Sequence, residues 1–191
     1  MTVAVEGRQF CKNAGVTQTR SVATCAQCKV HWYVEGEPAK CTEAAHDHQT
    51  FDVHQHCSLV VLPDGTEVTA VSFDAGDPYI REVPPDYGLY LDKRWQPPWT
   101  HDHLDWPDFG VPDDAAQVMA GLRSSLDRAR AQRRVEVGCL GGHGRTGTAL
   151  ACLAILCGYP PVEAIRWVRA NYCVDAVETA EQEAFVVGFV G

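Results

Sequence analysis

The stretch that decides the fold is CLGGHGRTG, residues 139–147, in which four of the nine residues are glycine. It follows the short apolar run Val135-Glu136-Val137 and leads into an apolar segment that ends at Cys157. A strand, a glycine-rich turn and the start of a helix form a general anion site, because backbone N–H groups and the helix dipole point at the turn. The stretch therefore predicts an anion site between two buried segments rather than a flexible linker.

Two common nucleotide-binding patterns do not fit this loop. The Walker loop needs a lysine where this chain has Thr148. The spacing Gly142-x-Gly144-x-x-Gly147 matches the dinucleotide fingerprint, but that pattern opens a βαβ unit with an acidic residue ending its second strand roughly 20 residues further on. Here that region, Pro160 to Glu163, reads as the start of a helix, and too little chain follows for a nucleotide-binding half.

Cys139 and Arg145 give the loop a different chemistry. Cysteine is nucleophilic as the thiolate, and amide groups at a helix N-terminus lower its pKa. Arginine presents a planar fork that matches two phosphate oxygens. Glycine lets the backbone turn tightly enough for consecutive N–H groups to face one anion. The residues predicted to form this cradle are Leu140, Gly141, Gly142, His143 and Gly144.

Cys139-x5-Arg145-Thr146-Gly147 resembles the phosphate-binding loop of the protein tyrosine phosphatase superfamily, including its dual-specificity branch. A second motif, WPDFGVP at residues 106–112, resembles the movable loop that carries the general acid in that superfamily. Its Asp108 lies 31 residues before Cys139. A weaker third motif, Thr179-x-x-Gln182-x-x-Phe185, is similar to the segment whose glutamine positions the hydrolytic water. The resemblance covers roughly residues 59–191.

The resemblance implies a phosphatase mechanism. Cys139 would attack a phosphomonoester and form a cysteinyl-phosphate, while Arg145 and the loop amides hold the phosphoryl oxygens. Asp108 would protonate the leaving oxygen and then act as base toward the hydrolytic water. Thr146 would stabilise the thiolate. Gln182 would orient the water, or do no more than cap its helix. This chemistry uses no metal and no cofactor.

Two residues depart from the family pattern. Most members carry histidine immediately before the nucleophile, where this chain has Gly138, so activity could be reduced. His143 stands where the family usually has a small, apolar or sometimes lysine residue. It either faces the substrate, where a cationic imidazole favours a second anionic group, or is a solvent-facing bystander.

No segment resembles the tyrosine-clamping loop of the dedicated tyrosine phosphatases, so we expect a compact dual-specificity-like pocket. The predicted partner is a phosphorylated protein, with phosphotyrosine as the first choice. A phosphorylated small molecule, such as an inositol phosphate or a nucleotide, is the alternative substrate. A rival hypothesis of another class is a pseudophosphatase that binds phosphorylated partners without turnover, and Gly138 is the residue that keeps it open.

The whole chain predicts an α/β fold with a central mixed sheet flanked by helices. Two β-rich runs, 59–62 and 68–73, are joined by Pro63-Asp64-Gly65, which predicts a hairpin. Further strands are predicted at 87–91, 101–104 and 135–137, and helices after Asp113, from Thr146, and after Pro160 and Thr179. We expect a phosphatase-like domain over residues 59–191 and a Cys/His-rich N-terminal element over residues 1–58.

That N-terminal element carries a candidate metal site. Cys25-x2-Cys28 is a two-ligand knuckle, and Cys41 follows after twelve residues. The candidates for the fourth ligand are His46, which we take first, His48 and Cys57. Tetrahedral zinc accepts three cysteines with one histidine, or four cysteines, and would be structural here because the segment has few bulky apolar residues. The alternative is a Cys/His-rich segment that binds nothing specific.

Composition limits the partners. The formal charge of -9 and the pI near 5.3 argue against nucleic acid or anionic lipid, which need clustered lysine and arginine. No export signal and no membrane-length apolar run is present, so we expect a cytoplasmic protein. In a reducing compartment the nine cysteines are best divided among metal ligands, a nucleophile and core positions. The sequence carries no signal for an oligomeric state.

Overall fold

In a computed structural model, the described part of the chain is residues 19–190 without residues 26, 29, 30, 35–37, 55 and 73–80. It divides into two compact units, a smaller one within residues 15–55 and a larger one that contains residues 56–190. The predicted boundary after residue 58 falls inside the first strand of the larger unit, which begins at Cys57. Among the described residues, no helix has the length and apolar character that a membrane span requires.

The smaller unit contains a three-stranded antiparallel sheet that the sequence did not predict. Its strands are β1 (Thr19–Cys25), β2 (His31–Tyr33) and β3 (His48–His54), in the order β2-β1-β3. Cys25 ends β1 and pairs in register with His48 on β3. The sheet therefore sets the position of the first cysteine of the predicted metal site.

The larger unit is built on a five-stranded mixed sheet in the order β4-β5-β8-β6-β7. The strands are β4 (Cys57–Val61), β5 (Glu67–Ser72), β6 (Tyr87–Tyr90), β7 (His101–His103) and β8 (Val135–Cys139). β4 and β5 form the predicted antiparallel hairpin, and Gly65 in its turn has a φ of 87°, which glycine adopts without strain. The pairs β5–β8, β8–β6 and β6–β7 are parallel. Their carboxyl ends therefore lie at one edge of the sheet.

Four helices flank this sheet: α1 (Ala115–Arg130), α2 (Gly144–Leu156), α3 (Pro161–Asn171) and α4 (Ala180–Val187). Asp114 caps α1 by accepting a hydrogen bond from the Gln117 N–H at 2.9 Å, and Pro161 occupies the first turn of α3, as predicted. The predicted fold class, a mixed sheet flanked by helices, is confirmed. α2 starts two residues earlier than predicted because the last residues of the glycine loop already belong to its first turn.

The core of the larger unit surrounds α2, whose residues are buried on every side up to Ile155. Leu122 of α1, Val137 of β8 and Leu150 of α2 are completely buried in it. Cys152 is a core residue. Cys157, at the C-terminal end of α2, is only half-buried, with Arg130 Nη2 3.9 Å from its sulfur. Burial on every side fixes α2, and with it the loop that precedes it.

Candidate active site

The glycine loop joins the central strand to the buried helix. Cys139 is the last residue of β8, and Gly144 is the first residue of α2. Leu140 and Gly141 are partly exposed, whereas the rest of the predicted cradle is buried. The loop therefore lies at the carboxyl edge of the parallel strands, with an open side at its first residues.

Gly138 is a packing requirement of the central strand. A Cβ atom at this position would lie 2.6 Å from Val71 Cγ2 and 2.8 Å from the Val71 carbonyl oxygen. Real Cβ atoms do not approach other atoms so closely, and the oxygen belongs to the backbone of β5, which cannot move aside independently. The histidine that the family usually carries here has no room in this sheet.

The Cys139 sulfur accepts two hydrogen bonds within the loop. The Gly142 N–H donates at 3.3 Å and the Thr146 hydroxyl donates at 3.0 Å. The residue is 2% exposed. This burial raises the pKa of the thiol above its ordinary value, and the charge of Arg145 and the hydrogen bond from Thr146 oppose the rise. The groups that the sequence predicted favour the thiolate, whereas burial, which the sequence did not reveal, acts against it.

Arg145 is fixed on one side and open on the other. Its Nη1 donates to the carbonyl oxygens of Leu91 at 3.0 Å and Trp106 at 3.3 Å, and lies 3.4 Å from a carboxylate oxygen of Asp92. Nε is buried and has no hydrogen-bond partner among the described residues. Nη2 is also buried, and on this side it meets the carboxylate of Asp108, with which it forms an ion pair at 3.0 Å. A buried donor without an acceptor is costly, so this side of the guanidinium is suited to an anion.

The WPDFGVP motif, residues 106–112, which is predicted to carry the general acid, lies directly over this arginine. Trp106 is buried, its ring packs edge-on against Phe185 at 5.6 Å, and its Nε1 donates to the Gly110 carbonyl oxygen at 3.0 Å. Gln182 Nε2 donates to the same oxygen at 3.3 Å. The side chain of Asp108 is 30% exposed, so its carboxylate borders both the arginine and solvent. The structure thus brings together all three motifs that the sequence singled out.

Gln182 does more than extend the cap of its helix. Its backbone N–H donates to the Thr179 hydroxyl at 3.2 Å, which is the predicted N-cap. Its side chain is fully buried, and Oε1 accepts a hydrogen bond from the Glu178 N–H at 2.9 Å. A Cβ atom at Gly144 would lie 3.0 Å from Gln182 Nε2. The amide therefore contacts the start of α2 and the acid-carrying loop at once.

His143 is a packing residue of the loop, and the prediction of a solvent-facing bystander is wrong. It is 4% exposed, and its Nε2 lies 3.2 Å from Nε2 of His56, which is also buried. Tyr172 supports the same side of the loop by donating its hydroxyl to the Gly142 carbonyl oxygen at 2.6 Å. That His143 also contacts substrate stays a prediction.

Asp92 is a site residue that the sequence reasoning missed. Its carboxylate pairs with Arg94 at 2.5 Å and with Arg145 at 3.4 Å. Burial acts to raise its pKa, but the two arginines outweigh burial and hold that pKa below its usual value. The available signal was position: Asp92 follows β6, whose carboxyl end lies beside that of β8. Asp92 stays charged and anchors the inner side of Arg145.

Glu178 is the second missed residue. Although the residue as a whole is exposed, its carboxylate lies against the start of α2, where a Cβ atom at Gly144 would come within 2.1 Å of Oε2. Burial of this carboxyl group, with the nearby charge of Asp108, raises its pKa to about 7. The signal in the sequence was its place immediately before the Thr179 motif. It adds a group that titrates near neutral pH beside the anion site.

The four predicted metal ligands also come together, in the smaller unit. The ligand atoms of Cys25, Cys28, Cys41 and His46 all lie within 4.8 Å of one another. His48, an alternative fourth ligand, is outside this group. Cys57, the other alternative, is disulfide-bonded. We predicted that the nine cysteines serve as metal ligands, as a nucleophile or as core residues. That prediction is wrong for Cys57.

Part of the chain matches a known family of phosphatase domains. A family model described as PTP-SAK, a Swiss Army Knife protein with a DSP-PTPase phosphatase domain, matches residues 95–186. Two uncharacterised proteins of Methanocaldococcus jannaschii match over 116 residues. One is 34% identical, with 53% of this chain and 69% of the relative covered. The other is 35% identical, with 53% of this chain and 74% of the relative covered.

Two solved structures share the fold. A kinase-associated phosphatase with its catalytic-site cysteine replaced by serine has a TM-score of 0.57 at 16% identity, with 69% of this chain and 92% of that chain covered. The Trypanosoma brucei protein tyrosine phosphatase TbPTP1 has a TM-score of 0.53 at 16% identity, with 73% and 75% covered. The chain belongs to the protein tyrosine phosphatase superfamily, and its residues 95–186 match a DSP-PTPase domain.

Proposed function

We propose that this protein is a cysteine-dependent phosphomonoesterase that works through a cysteinyl-phosphate intermediate. The observation that carries the proposal is the open side of Arg145. Its buried Nε has no hydrogen-bond acceptor among the described residues, and its buried Nη2 meets the carboxylate of Asp108. Arg145 lies in the loop that also holds the Cys139 sulfur. A bound phosphoryl group would supply the missing acceptor and would place its phosphorus near the thiolate.

The proposed reaction assigns one group of this site to each step. The Cys139 thiolate attacks phosphorus while the bond from phosphorus to the leaving oxygen breaks, and Asp108 gives that oxygen a proton. Water then attacks the cysteinyl-phosphate, Asp108 takes the proton back, and the thiolate is released. Thr146 donates to the sulfur at 3.0 Å and stabilises the thiolate as it leaves. Gln182, which touches the acid-carrying loop, is suited to orient the water.

A phosphorylated tyrosine, serine or threonine residue of a protein is the proposed substrate class. Three acidic side chains, Asp92, Asp108 and Glu178, lie near the guanidinium of Arg145. A ligand with several phosphates, such as an inositol polyphosphate, needs several cations, and whichever of these acids are ionised would repel its additional charges. A single phosphomonoester on a peptide chain suits the site better. The DSP-PTPase description of the matching family model supports the same class.

Hydrolysis of p-nitrophenyl phosphate without added metal tests the enzymatic proposal. We expect turnover by the wild-type protein and a fall of at least about 10³-fold in Cys139→Ser, since removal of a nucleophile leaves only binding and electrostatic effects. Cys157→Ser, which changes a half-buried thiol outside the loop, is the matched control and should retain activity. Equal rates for wild type and Cys139→Ser, with phosphate still bound, would instead identify a pseudophosphatase.

Substrate class is tested separately with phosphopeptides, inositol phosphates and nucleotides at equal concentration. The proposal expects the highest kcat/KM for a phosphopeptide. A higher kcat/KM for a small phosphorylated molecule would leave the chemistry intact and overturn the substrate assignment.

A further inference from the structure

The smaller unit contains a cluster of ligand-type atoms that the phosphatase chemistry does not use. Cys25 ends β1, Cys28 lies in the turn that follows, and Cys41 and His46 lie between β2 and β3. The Nδ1 atom of His46 is 3.5 Å from the Cys25 sulfur, 3.2 Å from the Cys28 sulfur and 3.4 Å from the Cys41 sulfur. The sulfurs of Cys28 and Cys41 are 3.7 Å apart.

Hydrogen bonding does not account for this arrangement. One imidazole nitrogen has either one N–H or one in-plane lone pair, so it can make one good hydrogen bond. Here three sulfur atoms approach the same Nδ1 almost equally. A common centre between the four ligand atoms explains why the three distances from sulfur to Nδ1 are nearly equal. Every ligand atom then points toward the centre and not toward another ligand.

The distances are those of a tetrahedron around zinc. With Zn–S near 2.3 Å and Zn–N near 2.0–2.1 Å, tetrahedral geometry gives S–S edges of about 3.8 Å and S–N edges of about 3.6 Å. The observed S–S edge is 3.7 Å and the S–N edges are 3.2–3.5 Å. We propose that Cys25, Cys28, Cys41 and His46 bind one zinc ion. Three thiolates and an imidazole are soft ligands that suit zinc rather than magnesium or calcium.

Neighbouring hydrogen bonds hold the ligands in position. The Cys28 N–H donates to the Cys25 sulfur at 3.3 Å, which places the second cysteine beside the first. Gln27 Oε1 accepts a hydrogen bond from the Asp47 N–H at 3.1 Å and so ties the turn to the segment that carries His46. Such contacts orient ligands before and after the metal binds.

The ion is structural. Four protein ligands leave no coordination position for a substrate, which is the arrangement of structural zinc sites. Two of the four ligands, Cys25 and Cys41, are buried and form a small cluster with Ala23. A metal at this cluster would link the end of β1 to the segment between β2 and β3, and a unit as small as residues 15–55 gains stability from such a link.

Elemental analysis of the full-length protein, purified without chelator, tests the assignment. We expect one zinc per chain in the wild type and loss of that zinc in Cys28→Ser and in His46→Ala. His48→Ala is the matched control, because this exposed histidine is two residues from His46 and lies outside the cluster. It should keep one zinc. Zinc absent from the wild type, or retained in Cys28→Ser and His46→Ala, overturns the proposal, and iron in place of zinc overturns the identity of the metal.

Cobalt substitution gives a readout on the wild type that does not depend on how the variants fold. Co(II) in a site with three thiolates and one imidazole shows strong tetrahedral d–d absorption and a thiolate-to-cobalt charge-transfer band. We expect both bands at one equivalent, and their loss when zinc is added. Weak octahedral absorption without the charge-transfer band would contradict the ligand set.

Discussion

Cys139 and Cys25 each end a β-strand and are equally buried, at 2% exposed, yet their sulfur atoms have different neighbours. In both cases the N–H three residues further on donates to the sulfur at 3.3 Å. The Cys139 sulfur then meets a hydroxyl and the charge of Arg145. The Cys25 sulfur meets an imidazole nitrogen, and two further cysteines lie within 4.8 Å.

The difference shows that the local turn does not decide what a cysteine does. The same amide-to-sulfur hydrogen bond occurs in a loop suited to a nucleophile and in a turn suited to a metal ligand. The two cysteines differ in the charge and in the number of ligand atoms that distant parts of the chain bring close to the sulfur. Because each cysteine site depends on its own neighbours, a substitution in one site should leave the other intact.

The largest expected effect comes from Arg145→Lys. Lysine cannot span the contacts with Leu91 and Trp106 while presenting two N–H groups to a phosphate. We expect kcat/KM for p-nitrophenyl phosphate to fall about 10³-fold, with zinc content unchanged. Arg166→Lys, at an exposed arginine on α3, is the control and should stay near wild type. Loss of zinc along with activity in Arg145→Lys would show that the two sites are not independent.

A somewhat smaller effect is expected from Asp108→Asn, and it should depend on the leaving group. Phenyl phosphate leaves poorly and needs the proton, so its kcat should fall about 10²-fold, whereas p-nitrophenyl phosphate, with a good leaving group, should be much less affected. Asp113→Asn, at an exposed aspartate outside the site, serves as the control. The same loss for both substrates would argue against Asp108 as the general acid.

The sequence predicted those parts of the site that lie within one continuous motif. Cys139, Thr146 and Arg145 follow from one loop, and the spacing of Cys25 and Cys28 from one turn. Residues such as Asp92 and Glu178 could not be predicted in the same way. They reach the site because β6 lies beside β8 and because α4 begins beside α2.

Two further features depend on packing in the same way. Burial of Cys139, which raises its pKa, is a property of the folded sheet and of α2, so no motif reveals it. The contact between His56 and His143 joins residues far apart in the sequence. In physical terms, the motifs determine local backbone geometry, whereas the electrostatic surroundings are set by tertiary contacts.

The residues that precede Cys25 and Cys139 also differ. Thr24 precedes Cys25, but Gly138 precedes Cys139 on the central strand, where a Cβ atom would meet Val71 at 2.6 Å. We expect Gly138→Ala to lower the free energy of unfolding by about 2 kcal/mol through overpacking. In the control Gly121→Ala, the new Cβ would meet a terminal methyl group of Leu104 at 3.2 Å and no backbone atom among its nearest neighbours. Chemical denaturation that finds Gly138→Ala as stable as Gly121→Ala would contradict this packing explanation.

The smallest effect is expected from Glu178→Gln, and it should depend on pH. The raised pKa of Glu178, about 7, means that its carboxyl is neutral at lower pH and becomes negative beside the anion site as pH rises through 7. This charge should weaken anion binding by about 1 kcal/mol, or about fivefold. Sulfate is a suitable competitive inhibitor because its charge is constant over this range.

At about pH 8.5, Glu178→Gln should therefore bind sulfate about fivefold more tightly than wild type, and at about pH 5.5 the two should bind equally. Glu181→Gln, three residues along and exposed, is the control and should follow the wild type at both pH values. Because Cys139 is the same in all three proteins, its titration cancels in the comparison. An equal ratio of inhibition constants at the two pH values would show that Glu178 does not change its charge in this range, and would leave Arg145 and the loop amides as the groups that control anion affinity.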